Sequence, residues 1–373
     1  MSTAETRVWI LRHATSTFNA EGRYQGCCDT PDLTGQGWKA ARLAGKRLRG
    51  TAIDAVITSP LCRAVQTVVG VLEAFRDYAR PLELEMDAKL REVELLGWEG
   101  LPFAEVQRRF PEQHSTWRLS PYDLRMLSAS GEPKFPVRSL YQRAGLFLKG
   151  LVSNYAGKSV LLVTHGGTAR ALITTALGLG VQYFHRIQQS NCGISRLCFP
   201  ALADEAVLEL LNDTSHLGGA LPKLKEGKTG VRLLLVPANS SSSEDCRHLS
   251  SVFERLAVDC VLPVSPEGRA AASAIFRRHS EPTGRLLCDT ESILRGVLSN
   301  TTAERPCNVA VVAPPSFLRR VLQEQFGMAN PEKLLLLHRP GITAVHSPGT
   351  GIPSVLQSLN AFESQMSLPG GYA

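Results

Sequence analysis

The chain has 373 residues, 43% of them hydrophobic, which suits two ordinary domains or one large one and excludes wholesale disorder. Forty-one Lys and Arg against 34 Asp and Glu give a formal charge of +7, a modest bias towards acidic partners that a mildly basic solvated surface explains as well. The densest basic cluster, Lys46, Arg47 and Arg49, lies on an amphipathic helical pattern without interleaved aromatics, so no nucleic-acid partner is expected.

The cysteines number nine, an odd count with no C-x-x-C pair, which fits a reducing compartment. Ser2 to Arg7 is polar, and no apolar run approaches the ~18 residues of a membrane span, so no membrane partner is expected and the reading is cytoplasmic.

In chain order, Val8 to Leu11 is a short apolar run that stops on Arg12 and His13, the pattern of a buried strand ending at polar residues. A cation beside an imidazole at a strand end suggests an anion site, and a solvated loop start fits those two residues equally. The stretch after Ala14 is rich in hydroxyls and amides, with Asn19 and Gln25 the candidates for hydrogen-bonding an oxyanion. A helix is expected from about Gly37 to Leu48, capped by Thr34, with Trp38, Ala41, Ala44 and Leu48 facing the core. A second strand, Ala55 to Thr58, leads through Ser59 and Pro60 into a helix reaching Phe75. Arg63 then falls in the first turn, where a cation opposes the helix dipole unless an anion sits nearby.

The segment Leu90 to Gly100 carries Glu92, Glu94 and Glu99 in otherwise apolar surroundings. Residues 101 to 145 read as helical and then irregular, an insertion over the active face whose arginines meet an anionic substrate or are simply solvated. The clearest strand, Ser159 to Thr164, ends in His165, Gly166 and Gly167 before a helical run from Thr168 to Leu177. Two glycines there let the backbone turn tightly and aim helix N–H groups at an anion.

Arg12-His13, Ser59-Pro60 leading to Arg63, Glu92 before Trp98-Glu99-Gly100, and His165-Gly166-Gly167, taken together in this order, resemble the histidine phosphatase superfamily, the fold of phosphoglycerate mutase, over residues 7 to about 200. The resemblance implies an α/β fold, a three-layer α/β/α domain, in which His13 attacks phosphorus and becomes phosphohistidine. It further implies that Arg12, Arg63 and His165 hold the phosphoryl oxygens, that Glu92 moves the proton, and that Asn19 and the backbone of Gly166 contact phosphate, with Gln25 standing as a binding candidate on its residue type alone. No metal or other cofactor is implied, and the partner is a small anionic phosphorylated metabolite. Two departures stand out: Ala14 and Thr15 replace the family's Gly-Glu after the nucleophile, and the Trp98 segment resembles the phosphatase members more than the mutases.

After Pro222 a charged, glycine-bearing stretch reads as a linker, 223–230, between a catalytic domain at 1–222 and a second domain at 231–365, with a tail at 366–373. The second domain reads as a smaller degenerate copy of the first. Val231 to Val236 parallels the opening strand, Ser265 to Ala270 repeats Ser-Pro-x-x-Arg-Ala, and Asn308 to Val312 parallels the strand before His165. Pro237 and Ala238 replace Arg12 and His13, Pro314 or Pro315 replaces His165, and Arg269 alone survives, so the copy is expected to be inactive. Its expected role is bracing or homodimerisation. Serines 240 to 243 read as a solvent loop, and His248, His279, His338 and His346 as unclustered surface or core residues.

Two-domain members of this kind resemble the 2-carboxyarabinitol-1-phosphatase group, which the segment Gln188 to Ser195 also resembles. The expected function is hydrolysis of a small phosphorylated sugar or sugar acid, in the cytoplasm, or in a plastid stroma where a transit peptide has been removed. The alternatives are phosphoryl transfer of the mutase type and a non-catalytic scaffold that binds a phosphorylated metabolite.

Overall fold

The computed structural model describes residues 5–76, 82–201, 205–219, 221–224, 229–238, 243–276, 306–328, 341–348 and 352–362. Residues 225–228 of the expected linker, the tail, residues 240–242 of the serine run, His279 and His338 lie outside them. The chain divides into two units, one running to His185 and resuming over Gln189–Val207, the other made of Arg186–Gln188 and the chain from Leu208. The boundary expected after residue 222 therefore differs from this division.

The first unit is built on a sheet in the order β7-β1-β6-β2-β3, from β1 (Thr6–Arg12), β2 (Ala55–Thr58), β3 (Glu83–Met86), β6 (Ser159–Thr164) and β7 (Ile194–Phe199). The first four are parallel and β7 is antiparallel. β6 is buried along its whole length, as its continuous apolar run requires of a strand covered on both faces. Trp9, also fully buried, keeps its indole N–H satisfied by Ser159 Oγ at 3.2 Å.

Helices α2 (Gly35–Leu48) and α3 (Cys62–Leu72) pack on each other, as do α6 (Pro136–Asn154) and α7 (Gly166–Ala176). Thr34 caps α2 through Gly37 N at 3.0 Å, and Ala41, Ala44 and Leu48 are buried. Trp38 is not core: it is half-exposed, with the Arg42 guanidinium 5.9 Å from its ring. Helix α3 starts at Cys62 without a side-chain cap, so Ser59 is not the helix start that its following proline suggested. Between β3 and α6 lie the short elements of the insertion, α4 (Phe103–Arg109) and α5 (Pro111–Leu119), and a small hairpin of β4 (Met126–Leu127) and β5 (Pro133–Lys134). A five-residue helix, α1 (Thr17–Glu21), follows the end of β1. The last residues of the stretch read as irregular belong to α6, one of the helices that position the site.

The second unit carries β8 (Val207–Asp213), β9 (Val231–Pro237), β10 (Cys260–Pro263), β11 (Cys307–Ala313), β12 (Ile342–Ser347) and β13 (Val355–Ala361), in the order β10-β11-β9-β12-β13-β8. β10, β11 and β9 are parallel and β12 is antiparallel to β9. The run β10-β11-β9-β12 thus has the order and sense of β2-β6-β1-β7. Its helices among the described residues are α8 (Ser243–Phe253), α9 (Pro266–Ile275) and α10 (Pro315–Phe326), and its core gathers Leu234, Val236, Leu249, Phe253, Ile275 and Val312. Ser265 caps α9 through Gly268 N at 3.0 Å. Of the other histidines here, His248 donates to Phe362 O at 2.6 Å and His346 to Thr229 O at 2.9 Å, both structural bonds. No helix among the described residues is long and apolar enough to cross a membrane.

Candidate active site

The parallel strands stop level with one another: Arg12 pairs with Thr164, and Thr58 with Val163. His13, Ser59 and His165 therefore follow at one edge of the sheet, the carboxyl edge at which α/β sheets bind ligands. Because β7 is antiparallel, its leading loop, 189–193, arrives at that same edge.

His13 is buried, with its backbone N–H donating to Thr164 O at 2.7 Å. Its Nδ1 lies 2.7 Å from the Ala14 carbonyl. A carbonyl only accepts, so Nδ1 carries the proton, and in the neutral ring Nε2 carries the lone pair. The N–H of Ala14, in the preceding peptide, donates to Thr67 Oγ1 at 3.0 Å.

The His165 ring lies 5.1 Å from that of His13, centroid to centroid, and its Nε2 is 2.7 Å from Ser59 Oγ. Burial first, then the charges of Arg63, His13 and Arg12, push His165 well below the usual histidine pKa, so it is neutral at pH 7. With the Ser59 hydroxyl donating to Nε2, Nδ1 carries a proton in the buried interior and has no acceptor.

Arg12 and Arg63 are the cations. Arg12 donates through Nη1 to Gln189 O at 2.9 Å, and burial lowers its pKa to about 10. Arg63, wholly buried, donates to Cys28 O at 2.7 Å and Gly26 O at 2.8 Å, and burial lowers its pKa too. Both Nε–H groups are buried without an acceptor. Buried guanidiniums with unfilled donors beside a neutral imidazole donor form an anion site. Gly166 lets the Arg12 side chain lie close against the start of α7: a Cβ there would sit 3.2 Å from Nε and displace it by a few tenths of an ångström.

Glu92 is held at the N-terminus of α7. Oε2 accepts from Gly167 N at 2.9 Å, and Oε1 from Thr168 N at 3.1 Å and Val93 N at 2.8 Å. Among the described residues Oε2 accepts from Gly167 alone, which leaves one of its lone pairs for a proton. A Cβ at Gly167 would meet Oε1 at 2.5 Å, so the second glycine makes room for the carboxylate.

Asn19 and Gln25 meet at Ser16. Asn19 Oδ1 accepts from Ser16 N at 3.3 Å, and Gln25 Oε1 accepts from Ser16 Oγ at 2.7 Å, so each side-chain oxygen is engaged and each NH₂ is left as the outward group. All eight residues singled out in the sequence thus lie around one strand edge. Others escaped attention: Ser59 as the partner of His165, Gly167 and Thr168 as the seat of Glu92, and Asn191, whose Nδ2 reaches His13 O at 3.0 Å. A hydroxyl residue two places beyond His-Gly was a visible signal for Thr168. Asn191 had none beyond its loop.

The insertion approaches by its aromatics. Arg108 forms an exposed pair with Glu105 at 2.8 Å, and Arg109 lies 3.9 Å from the same carboxylate. Trp117 on α5 instead accepts at its carbonyl from His185 Nε2 at 2.7 Å and packs edge-on against Phe184 and Trp98.

Two buried guanidiniums, an oriented imidazole, a neutral imidazole donor and a helix-seated carboxylate gathered at one sheet edge define a two-histidine α/β protein with an anion site. Residues 8–214 match the histidine phosphatase superfamily (branch 1), and the chain belongs to that family. It is 32% identical over 293 residues to a probable 2-carboxy-D-arabinitol-1-phosphatase of Arabidopsis thaliana, covering 77% of this chain and 56% of that protein. It is 35% identical over 244 residues to 2-carboxy-D-arabinitol-1-phosphatase of Triticum aestivum, covering 64% and 47%. Phosphoserine phosphatase 1 of Hydrogenobacter thermophilus is 30% identical over 209 residues, 56% of this chain and 93% of that protein. The chain spans about half the length of the two plant relatives.

Proposed function

We propose that the chain is a metal-independent phosphomonoesterase acting through phosphohistidine on a small phosphorylated sugar or sugar acid, with 2-carboxyarabinitol 1-phosphate the first substrate to test. The observation that carries the reading is the fixed tautomer of His13: Nδ1–H on the Ala14 carbonyl leaves the Nε2 lone pair as nucleophile, beside buried cations with unfilled donors. Nε2 attacks phosphorus, the P–O ester bond breaks, and Glu92 gives its proton to the leaving alkoxide. Water then attacks the phosphohistidine, Glu92 takes a proton from it, the P–N bond breaks, and inorganic phosphate leaves with His13 neutral again. Arg12, Arg63 and His165 stabilise the charge that spreads over the phosphoryl oxygens, each such donor contributing on the order of 100- to 1000-fold in rate.

The second unit is assigned no catalysis. Pro237 and Ala238 end β9 where Arg12 and His13 end β1, Pro314 and Pro315 follow β11, and Arg269 is exposed where Arg63 is wholly buried. The likeness of strand order supports a duplication whose second copy lost its chemistry. Phosphate release from a panel of phosphorylated sugars, sugar acids and amino acids, with an alkaline denaturing quench to trap the acid-labile phosphohistidine, tests the function. Release from a sugar-acid phosphate with a labelled His13 is the expected result, and silence on every substrate overturns it.

A further inference from the structure

We infer that Asn191 is the positioning residue that fixes both the tautomer of His13 and the amide orientation of Asn19, an inference that rests on the phosphatase reading. Asn191 stands at the tip of the loop before β7. Its Nδ2 donates to His13 O at 3.0 Å, to Ala14 O at 3.3 Å and to Asn19 Oδ1 at 3.0 Å. Every one of these partners is an acceptor. A flipped amide would set Oδ1 against three oxygens, so the orientation of Asn191 follows from its surroundings.

The consequences run through two side chains. The Ala14 carbonyl that receives Nδ2 also receives His13 Nδ1–H at 2.7 Å. His13 is thus oriented by a backbone carbonyl whose place in space depends on what holds residue 14: Asn191 donates to the carbonyls on both sides of it, His13 O and Ala14 O, and Thr67 Oγ1 accepts from its N–H. On the other branch, Asn19 Oδ1 is filled by Ser16 N and Asn191 Nδ2 together, which turns the Asn19 NH₂ outward as a donor to anions. A single amide therefore serves the nucleophile and a phosphate donor at once.

The loop is stiff enough for that role. Cys192 N donates to Arg12 O at 3.0 Å, Arg12 N to Gly193 O at 3.3 Å, and Gly193 N closes a turn on Ser190 O at 2.9 Å. Cys192 itself sits at φ 55°, a left-handed conformation that a non-glycine residue holds only where its surroundings impose it. Partners of this kind, one bond removed from the reacting group, typically change activity by about 10- to 100-fold when lost.

Asn191→Leu and Asn191→Asp both keep the size of the side chain and remove its donors. In the full chain each is expected to lower kcat for p-nitrophenyl phosphate by about 10- to 100-fold while KM moves by less than about threefold. Nitrogen NMR of the histidine-labelled protein, without substrate, is expected to show His13 as the Nδ1–H tautomer in the wild type and as a tautomer mixture in both variants. The aspartate variant carries the test if the leucine variant fails to fold. A variant that retains the wild-type tautomer, or that folds and retains wild-type kcat, overturns the inference. If the wild type itself releases no phosphate, the phosphatase reading fails, and the tautomer comparison still decides the role of Asn191.

Discussion

A neutral carbonyl, 2.7 Å from Nδ1, orients His13. On the proposed route the phosphorylated ring is an imidazolium, and a neutral acceptor stabilises that cation less than a carboxylate would. Phosphohistidine then stays a good leaving group for water, as a hydrolase requires. His13→Ala is expected to lower turnover of p-nitrophenyl phosphate by about 10⁴-fold or more with the far-UV circular dichroism unchanged. Glu92 gives a finer test. Glu92→Gln removes the proton donor, and since p-nitrophenolate leaves without one, the loss in kcat/KM, which reports the first step and not the later attack of water, should be about 10²- to 10⁴-fold for an alkyl phosphate and much smaller for the aryl ester. Gly167→Ala, which drives a Cβ into Glu92 Oε1, should show the same leaving-group pattern in weaker form. An equal loss of kcat/KM on both esters would place Glu92 outside proton transfer to the leaving group.

At the level of elements, α5 is tied to the segment after α7 through His185, whose Nε2 donates to the Trp117 carbonyl at 2.7 Å. Burial first, then Arg170, lowers the pKa of His185 to about 3, and His165 is also pushed well below 6.5. Below about pH 6.5 the unfolded chain binds protons at both sites that the folded chain refuses, so their contribution is whole above that pH and is lost as pH falls towards the folded values. Each histidine adds a slope of about 1.4 kcal/mol per pH unit in that window. Denaturant unfolding between pH 7 and 5 should show this loss, and His185→Gln should flatten it; an unchanged slope would deny His185 a buried neutral state.

The same elements show what the sequence could reveal. Ser159–Thr164 is legible to the residue, because an apolar run ending in His-Gly-Gly has one reading. The edge strand Glu83–Met86 is invisible in pattern: its residues are all exposed, and its identity comes from pairing with β2. Trp38 was misjudged because its place in the helical repeat is right for the core, while the guanidinium of Arg42 covers the ring from outside. Arg12, His13 and His165 were legible as site candidates because they lie at strand ends. Asn191 was hidden because its role depends on the antiparallel sense of β7, which no local motif records.

At the scale of the whole molecule, the two units carry the same Ser-Pro-x-x-Arg-Ala motif in different settings. Arg63 is wholly buried and binds the carbonyls of Gly26 and Cys28, whereas Arg269 is exposed on α9. Arg63→Ala should lower kcat by about 100- to 1000-fold, and Arg269→Ala should leave it within about twofold, as surface changes generally do. Loss of activity in both would restore a catalytic role to the second unit. The antiparallel β7 has a temporal consequence as well. The loop that grips Arg12, His13 and Ala14 comes from residues 189–193, some 180 positions further along the chain. Such distant pairings close late in folding. A nascent chain that has not yet released β7 can therefore hold its other strands and still lack an oriented nucleophile, so that competence arrives as the final step of the unit's assembly rather than growing with it.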